Sequence, residues 1–364
     1  MRITFVLPRY GWHPSGGYKV VYLYCAELAA RGHEVTVVHP RRLPPGGWPS
    51  PHGIVPRLRR LAGDIRNRFL TPDLAWAGLP SEVRVLHVPA LTAAHVPPGD
   101  VIIATWWSTA EALRDLPAAC GAHCYFIQGA ELWFGQEDRV RATWRMDAEK
   151  IVISSWLRDL CLAHGSTPES LTVIHNGVDT QTFTVTTPPA ARDMIACVHY
   201  SPDPHKGWAC SLEAFTIAKR SIPSLQVIAF GFAPPPELPE WITYRRTLPP
   251  AELSSRVYNQ SRVYLCSSFS EGWHLPSTEA MACGCAVVTS DIEGVRDYAT
   301  DRVTARTFPA GDAAAAAARL VEVLTDDGQR MRLVSAGLER AAALSWDRSA
   351  DAFESVLRRA SGMD

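Results

Sequence analysis

The stretch Glu271-Gly-Trp-His-Leu-Pro-Ser-Thr-Glu279-Ala-Met-Ala-Cys-Gly284-Cys places two glutamates with seven residues between them, ahead of a run of helix formers. Pro276 fits the start of a helix, where its missing N–H is not needed, and Gly284 fits a left-handed helix exit. The pattern predicts a loop that carries Glu271, then a short helix with Glu279 in its first turn, then a strand over Cys285–Ser290.

This arrangement suits the binding of a phosphorylated polyol. The start of a helix presents free N–H groups and a partial positive charge, which together hold phosphates. Glu279 beside it is a pure acceptor that can bind a ribose diol, and Glu271 can face a second polyol. Phosphate, ribose and sugar together describe a nucleotide-sugar. The alternative is a capped surface helix with two solvated glutamates.

The bulk properties limit the class of protein. The 364 residues, 47% of them hydrophobic, exceed what one core usually supports, so we expect two domains. A net charge of −1 gives no reason to expect nucleic acid as a partner. No apolar run is long enough to span a bilayer and no signal peptide is evident, so we expect a cytoplasmic protein without an integral membrane segment. Nine scattered cysteines predict buried thiols and no metal site.

The first half of the chain begins with a βαβ pattern. A strand over Ile3–Leu7 leads to a loop with Gly16 and Gly17, a helix over Tyr18–Arg31 and a strand over Glu34–His39. Such units build parallel sheets that bind ligands at the carboxyl ends of their strands. Further strands are predicted over Arg84–Val88, Val101–Trp107, Cys124–Gln128, Lys150–Ser155 and Leu171–His175.

A second α/β series follows a segment rich in threonine and proline. Its strands are predicted over Met194–Tyr200, Leu225–Phe230, Trp241–Arg245, Arg262–Cys266 and Cys285–Ser290, and the tail is helical. We therefore predict two doubly wound Rossmann-like parallel-sheet domains that face a central cleft with the ligands. Their predicted bounds are 1–178, a linker at 179–193, a domain at 194–345, and a helix at 346–364 that packs back on the first domain.

Several motifs in order identify the chain as similar to family 4 retaining glycosyltransferases of the GT-B fold. The motifs are the Gly16-Gly17 loop, Arg31-Gly-His-Glu-Val-Thr-Val37, Val173-Ile-His-Asn-Gly-Val-Asp179, His205-Lys206-Gly207, and the stretch from Glu271 to Gly284. The resemblance covers nearly the whole chain. The segments Thr105-Trp-Trp-Ser108 and Tyr125-Phe-Ile-Gln128 resemble the branch associated with rhamnosyl and related deoxysugar transfer.

The resemblance implies a role for each residue of the donor site. Glu279 would bind the ribose, Glu271 would contact the transferred sugar, and Lys206 would neutralise the diphosphate. The remaining donor-binding candidates are Gly16 and Gly17 for the phosphates, Gly272, Trp273, His274 and Leu275 for sugar and phosphates, and Thr247 and Leu248 in the loop for the base. The resemblance also implies no cofactor beyond the nucleotide-sugar co-substrate, and retention of the anomeric configuration.

Two departures from the family pattern affect the donor site. The family usually carries an Arg in a Val-Gly-Arg strand end, whereas this chain has Val198-His-Tyr-Ser-Pro-Asp-Pro. Diphosphate binding would then depend on Lys206 and backbone amides, with His199, His205 or an Arg from elsewhere. The second departure is Trp273-His274, where Phe-Gly is common. A side chain at 274 would narrow the sugar pocket or add a hydrogen bond to it.

Other interpretations stay open at this point. Gln128 and Glu131 are candidates for the sugar or acceptor pocket, although Glu131 fits a surface loop equally well. No Asp-x-Asp site for a phosphate-bridging metal is evident, so we expect metal-independent transfer to a hydroxyl acceptor on a glycan or small molecule. Rival functions are a GT-B-like sugar-nucleotide epimerase or phosphorylase, and a catalytically inactive glycan-binding or accessory protein.

Overall fold

A computed structural model describes residues 1–8, 15–43, 74–132, 135–233, 235 and 237–363. The chain forms two compact units, the first from Met1–His175 with Ser349–Asp364, and the second from Asn176–Arg348. Each unit is built on one parallel sheet. The prediction of two Rossmann-like parallel-sheet domains is therefore confirmed.

Seven parallel strands form the sheet of the first unit. They are β1 (Arg2–Val6), β2 (Glu34–Arg42), β3 (Arg84–Ala90), β4 (Val101–Ala104), β5 (Ala122–Ile127), β6 (Glu149–Val152) and β7 (Leu171–Val173). Their order is β3-β2-β1-β4-β5-β6-β7. The direction of winding reverses between β1 and β4, where the carboxyl ends of the strands leave a crevice for ligands.

Helices connect these strands. They are α1 (Gly16–Ala30), α2 (Trp107–Leu113), α3 (Glu137–Trp144) and α4 (Ser155–Ala163). The central strand β4 is buried throughout, as expected for a continuous apolar run in a sheet covered on both faces.

Six parallel strands form the sheet of the second unit. They are β8 (Ile195–Tyr200), β9 (Gln226–Gly231), β10 (Ile242–Arg246), β11 (Val263–Cys266), β12 (Ala286–Ser290) and β13 (Ala305–Phe308), in the order β10-β9-β8-β11-β12-β13. The helices are α5 (Trp208–Ser221), α6 (Pro250–Arg256), α7 (Leu275–Ala282), α8 (Ala313–Thr325) and α9 (Asp327–Ala343).

The two faces of this second sheet differ in composition. Ala196 and Val198 of β8 belong to an aliphatic core that includes residues of α5 and α8. Because side chains alternate along a strand, Cys197 and His199 point to the opposite face. That face carries polar and aromatic side chains, and it supports the candidate site described below.

The last helix, α10 (Trp346–Ser361), contributes an aromatic side chain to the core of the first unit. Phe353 is fully buried, with ring-centroid distances of 4.3 Å to Tyr24, 5.3 Å to Phe126 and 6.0 Å to Phe5. The core of this unit is therefore closed by residues from the far end of the chain. In the described ranges, no helix combines the length and the apolar character needed to cross a bilayer.

The structure differs from the predicted elements in several places. The strand predicted over Val101–Trp107 ends at Ala104, and Trp107 begins α2. Strand β13 was not predicted, because its Arg306 breaks the apolar pattern. The helical tail consists of three separate helices, which end at Thr325, Ala343 and Ser361. The prediction of buried thiols is confirmed, since all nine cysteines are free and buried.

Candidate functional site

The candidate site of the second unit lies where β8 and β11 end. The chain continues from Tyr200 into a short 3-10 turn at Pro204–Lys206, and from Cys266 into the loop that precedes α7. Because β8 and β11 are neighbouring parallel strands, their carboxyl ends lie at the same edge of the sheet. The fold therefore brings Lys206 and the glutamate motif together.

The turn that carries Lys206 is held by local hydrogen bonds. The Asp203 carboxylate accepts from the His205 N–H at 2.9 Å, and the His205 carbonyl accepts from the Phe269 N–H at 2.8 Å. Gly207 has a φ of 69°, and a Cβ there would lie 1.9 Å from the Ser267 carbonyl oxygen. Glycine is needed at this position both for the left-handed backbone and for the close approach of the two loops.

Glu271 forms a partly buried ion pair with Lys206. The Lys206 Nζ lies 2.8 Å from both carboxylate oxygens, and the Ser268 hydroxyl donates to Oε1 at 2.8 Å. The Glu271 side chain is 7% exposed and that of Lys206 is 30% exposed. Gly294 supports the loop from below, because a Cβ there would lie 2.0 Å from the Glu271 carbonyl oxygen.

Helix α7 begins one residue earlier than Pro276, which corrects the prediction for Glu279. Leu275 is the first helical residue and Pro276 the second, so Glu279 is the fifth and lies in the second turn. Its side chain is buried, and the Tyr258 hydroxyl donates to Oε2 at 3.1 Å. Neither Glu271 nor Glu279 is solvated, in contrast to the alternative of a plain surface helix.

Two neutral histidines lie beside the ion pair. His274 caps the start of α7, where its Nδ1 is 2.9 Å from the Ser277 hydroxyl and its Nε2 is 3.8 Å from Glu271 Oε1. Burial lowers the pKa of His274 to about 3, and the charge of Lys206 adds to the effect. Burial also lowers the pKa of His199 to about 3, with further lowering by His274 and Lys206 and an opposing effect of Glu271.

The other predicted residues of the glutamate loop differ in exposure. Trp273 is buried and packs on Tyr298, with ring centroids 5.1 Å apart. Gly272 and Leu275 are partly exposed on either side of it. Trp273 therefore anchors the loop, while Gly272 and Leu275 stay at the surface of the site.

The predicted base loop follows the edge strand β10. Thr247 is exposed, has a φ of 46°, and donates its N–H to the Gly231 carbonyl at 2.9 Å. Leu248 beside it is partly buried. Both residues follow the carboxyl end of a strand of the same sheet, as the prediction requires.

In the first unit, the structure brings Gly17 and Gln128 together. Gly16 and Gly17 open helix α1 and are exposed, and the Gln128 side chain donates to the Gly17 carbonyl at 3.2 Å. Residues 9–14 of the predicted glycine loop lie outside the described residues. Gln128 follows β5, so this contact lies at the carboxyl edge of the first sheet.

Glu131 is buried, which is contrary to its interpretation as a surface loop residue. It has a φ of 58°, and its Oε2 accepts from the Trp107 N–H at 2.8 Å and the Tyr125 hydroxyl at 3.4 Å. Burial raises the pKa of Glu131 to about 8 against the lowering effect of these two hydrogen bonds. The carboxyl is therefore mostly protonated at neutral pH, and it joins the loops that follow β4 and β5.

No sequence pattern points to the supporting residues Tyr258, Ser268 and Gly294. Tyr258 lies in a stretch that resembles ordinary core, and its partner Glu279 is 21 positions away. Gly294 has no sequence signal beyond being a glycine. Among the described residues, no group of three or more histidine, cysteine or acidic side chains is arranged to hold a metal ion.

Comparisons with known families agree with this architecture. The model of the family "Glycosyl transferases group 1" matches residues 195–340, and that of "Glycosyltransferase Family 4" matches residues 14–182. The two matches cover most of the second unit and most of the first.

Individual relatives share low to moderate identity. The O-antigen chain mannosyltransferase B of Escherichia coli is 32% identical over 107 residues, which is 29% of this chain and 27% of that protein. A D-inositol 3-phosphate glycosyltransferase of Mycolicibacterium smegmatis is 28% identical over 59% of this chain and 54% of its own length. A phosphatidyl-myo-inositol mannosyltransferase of the same organism is 27% identical over 95% of this chain and 90% of its own.

Solved structures share the fold across the whole chain. Sucrose-phosphate synthase from Thermosynechococcus elongatus superimposes with a TM-score of 0.72 at 18% identity, covering 100% of both chains. Anabaena Alr3699/HepE, solved in complex with UDP and glucose, superimposes with a TM-score of 0.73 at 15% identity, covering 99% of this chain and 100% of its own. With its two Rossmann-like units and its two family matches, the chain belongs to the family 4 glycosyltransferases of the GT-B fold.

Proposed function

We propose that this protein transfers a sugar from a nucleoside-diphosphate-sugar to a hydroxyl group of an acceptor, with retention of the anomeric configuration and without a metal ion. The observation that carries the proposal is the Lys206–Glu271 ion pair at the start of α7, with the buried Glu279 in the next turn. A cation, the positive end of a helix and two acceptor carboxylates match the diphosphate, the sugar and the ribose of such a donor.

Lys206 and the start of α7 are assigned to the leaving group. The nucleoside diphosphate gains negative charge as the bond to the sugar breaks. A fixed cation and oriented N–H groups stabilise that charge where it develops, and a partly buried site makes the interaction stronger than it is in water. These groups supply the neutralisation that other transferases obtain from a divalent cation.

Glu271 is assigned to the transferred sugar. In the ligand-free protein its carboxylate is occupied by Lys206 and Ser268. When a diphosphate takes over the Lys206 ammonium, Glu271 Oε2 becomes available to accept from sugar hydroxyls. We assign Glu279 to the ribose hydroxyls, and Thr247 and Leu248 to the surroundings of the base.

The reaction proposed here takes place on one face of the sugar. The bond between C1 and the leaving phosphate oxygen breaks through an oxocarbenium-like state, and the acceptor oxygen bonds to C1 from the same side. The acceptor proton passes to the departing phosphate oxygen. Glu271, which keeps its contact with Ser268, orients the sugar in this scheme and does not attack it.

The residues of the first unit are proposed for the acceptor side and the phosphates. Gly16 and Gly17 expose backbone at the start of α1, and Gln128 lies beside them. Glu131 supports the same edge of the sheet. A deoxyhexose is the first donor sugar to test, because the segments at 105–108 and 125–128 resemble deoxysugar transferases and His274 occupies space near Glu271.

A ligand panel followed by a turnover assay tests the proposal. Thermal unfolding is measured with UDP-, GDP-, ADP- and dTDP-sugars, including dTDP-rhamnose. At a concentration of 100 times Kd, a bound donor adds about 2.7 kcal/mol to stability. The best donor is then incubated with hydroxyl acceptors, with and without EDTA, and nucleoside diphosphate release and the anomer of the product are recorded.

We expect one nucleotide class to stabilise the protein, acceptor-dependent release that EDTA does not change, and a retained anomer. An isomerised sugar in the absence of acceptor would favour an epimerase, and a phosphate-dependent sugar phosphate would favour a phosphorylase. Donor binding without turnover on any acceptor would favour an inactive accessory protein. If no nucleotide-sugar stabilises the protein, the proposal is wrong.

A further inference from the structure

The environment of Lys206 contains two imidazoles that the proposed function does not use. His199 is the penultimate residue of strand β8 and His274 is the N-cap residue of α7, and the charge of Lys206 lowers the pKa of both. The His274 Nε2 lies 3.8 Å from Glu271 Oε1, and its ring centroid is 5.9 Å from that of Tyr264. The His199 ring packs on Phe230 at 5.5 Å.

The titratable groups around this cluster remain neutral at physiological pH, because burial raises their pKa values. They are Tyr264, whose ring lies beside that of His274, and Tyr298 and Cys266, which interact with Glu271. Among the described residues, the charges beside this cluster are those of Lys206 and Glu271, and they cancel while the two are paired. A proton taken up with the ligand goes either to a histidine or to Glu271, and the histidine variants below distinguish these sites.

A diphosphodiester changes the charge balance of the cluster. It brings two negative charges to the Lys206–Glu271 pair, which is neutral overall, so two negative charges remain uncompensated. An opposite charge within a few ångströms favours the charged form of a histidine. In this chain, the position where the family commonly has an Arg, two residues after Val198, holds Tyr200, and the imidazole of His199 precedes it.

We infer that His199 and His274 are diphosphate-binding residues, and that donor binding adds a proton to this pair so that an imidazolium acts as the second cation of the leaving-group site. The inference rests on the proposed function, since it assigns the chemistry of the same site. His274 Nδ1 lies 2.9 Å from the Ser277 hydroxyl and its Nε2 lies 3.8 Å from Glu271 Oε1, so Nε2 is the ring nitrogen that faces the ion pair and donates to a phosphate oxygen. The proton comes from solvent.

The sign of the pH dependence follows from the direction of the pKa changes. Both imidazoles are neutral in the free protein at pH 7, because burial lowers the pKa of each to about 3. The bound dianion raises these pKa values, so the complex holds more protons than the free protein. Affinity must then increase as pH falls, by up to about tenfold per pH unit when one proton is taken up.

Isothermal titration calorimetry tests the inference with the nucleotide-sugar that gives the largest stabilisation in the thermal panel. A nucleotide-sugar is the right probe because its diphosphodiester keeps two negative charges between pH 6 and 8. Titrations at pH 7 in PIPES and in Tris, which differ in ionisation enthalpy, give the number of protons taken up. Titrations at pH 6, 7 and 8 give the affinities.

We expect uptake of up to one proton and affinity that is about tenfold or more higher at pH 6 than at pH 8. His199→Gln and His274→Asn each keep a neutral side chain of similar reach, and the asparagine keeps a partner for Ser277. Each variant should lose part of the uptake, and its affinity should change less with pH than that of the wild type. His205→Gln, in the exposed turn beside Lys206, is the matched control and should keep the full uptake.

Absence of proton uptake in the wild type, with affinity independent of pH, would overturn the inference while leaving the proposed function intact. Full uptake in both His199→Gln and His274→Asn, or its loss in His205→Gln, would also overturn it. Absence of binding by every nucleotide-sugar would instead contradict the proposed function. Thermal unfolding without ligand establishes that each variant is folded before it is titrated.

Discussion

At the scale of single residues, Glu279 is the group most specific to a nucleotide donor. Its buried carboxylate is held by Tyr258 and can only accept hydrogen bonds, as a ribose diol requires. We expect Glu279→Ala to weaken nucleoside diphosphate binding by about 1–3 kcal/mol, or roughly 5- to 150-fold, as measured by calorimetry. The exposed Glu252, changed to Ala, is the control. Unchanged affinity in Glu279→Ala would contradict the ribose role.

Lys206 is expected to act on the chemical step. Removing its ammonium takes away a charge aimed at the departing diphosphate, so Lys206→Ala should lower kcat by about 10²- to 10³-fold with a smaller effect on the acceptor KM. Lys206→Arg keeps the positive charge and should recover part of the rate. Arg256→Ala, on the surface of the same unit, should behave as wild type. Wild-type turnover in Lys206→Ala would remove this lysine from the mechanism.

The sequence predicts the residues of the candidate site but not the contacts between them. Glu271, Glu279 and Lys206 were predicted because their residue types and motifs point to sugar, ribose and phosphate. The direct ion pair between Lys206 and Glu271 was not predicted, since the two residues are 65 positions apart and meet only through strand pairing. The contact of Tyr258 was not predicted either, because in the sequence it resembles a core tyrosine; the structure shows its hydroxyl donating to Glu279.

At the scale of elements, the glutamate loop depends on Gly294 beneath it. A Cβ at this position would lie 2.0 Å from the Glu271 carbonyl oxygen, which is main chain and cannot move without the loop. We expect Gly294→Ala to displace Glu271, to lower turnover by more than about 100-fold, and to reduce the free energy of unfolding by about 1–3 kcal/mol.

The matched control for this change is Gly328→Ala near the start of α9. There an added Cβ meets its nearest atom, Asp326 Oδ1, at an ordinary 3.4 Å. Activity and stability should be close to wild type or slightly improved. If Gly294→Ala kept full turnover, the supporting role of this glycine would have to be abandoned.

Most elements could be predicted, because apolar runs indicate buried strands and a glycine after a helical pattern indicates the end of a helix. Two failures have physical causes. Strand β13 contains Arg306, which is buried and forms ion pairs with Asp301, at 3.0 Å, and with Glu322. A charged residue is not expected in a buried strand, so the sequence pattern did not indicate β13. The apolar run that ends at Trp107 looked like a continuous strand, but the chain turns after Ala104 and Trp107 starts a helix.

At the scale of the whole molecule, the two units should respond separately to damage in one core. Phe353, which packs against Phe5, Tyr24 and Phe126 in the first unit, is fully buried. We expect Phe353→Ala to lower the stability of this unit by about 3–5 kcal/mol in urea unfolding, with nucleoside diphosphate affinity at low temperature unchanged. The exposed Met363, changed to Ala, is the control. If Phe353→Ala lost nucleoside diphosphate affinity as well as stability, the donor site would depend on the integrity of the first unit.

The two-unit architecture was predictable from the alternation of strands and helices in both halves of the chain. The exact pairing of residues at the carboxyl edges was not, because it depends on strand order, and strand order is not local information. The segment at 176–193 is another case in which distant contacts decide the structure. It lies in the second unit. There Arg192 is buried and donates to the carbonyls of Tyr258, Ser261 and Cys283.

The most direct test of the central claim is a crystal structure with the nucleoside diphosphate that stabilises the protein best. The account predicts ribose hydroxyls about 3 Å from the Glu279 carboxylate, a phosphate oxygen on the Lys206 ammonium, and a Glu271 carboxylate released from that lysine. A nucleotide bound elsewhere, or bound here while Lys206 stays paired with Glu271 and the ribose lies away from Glu279, would contradict it.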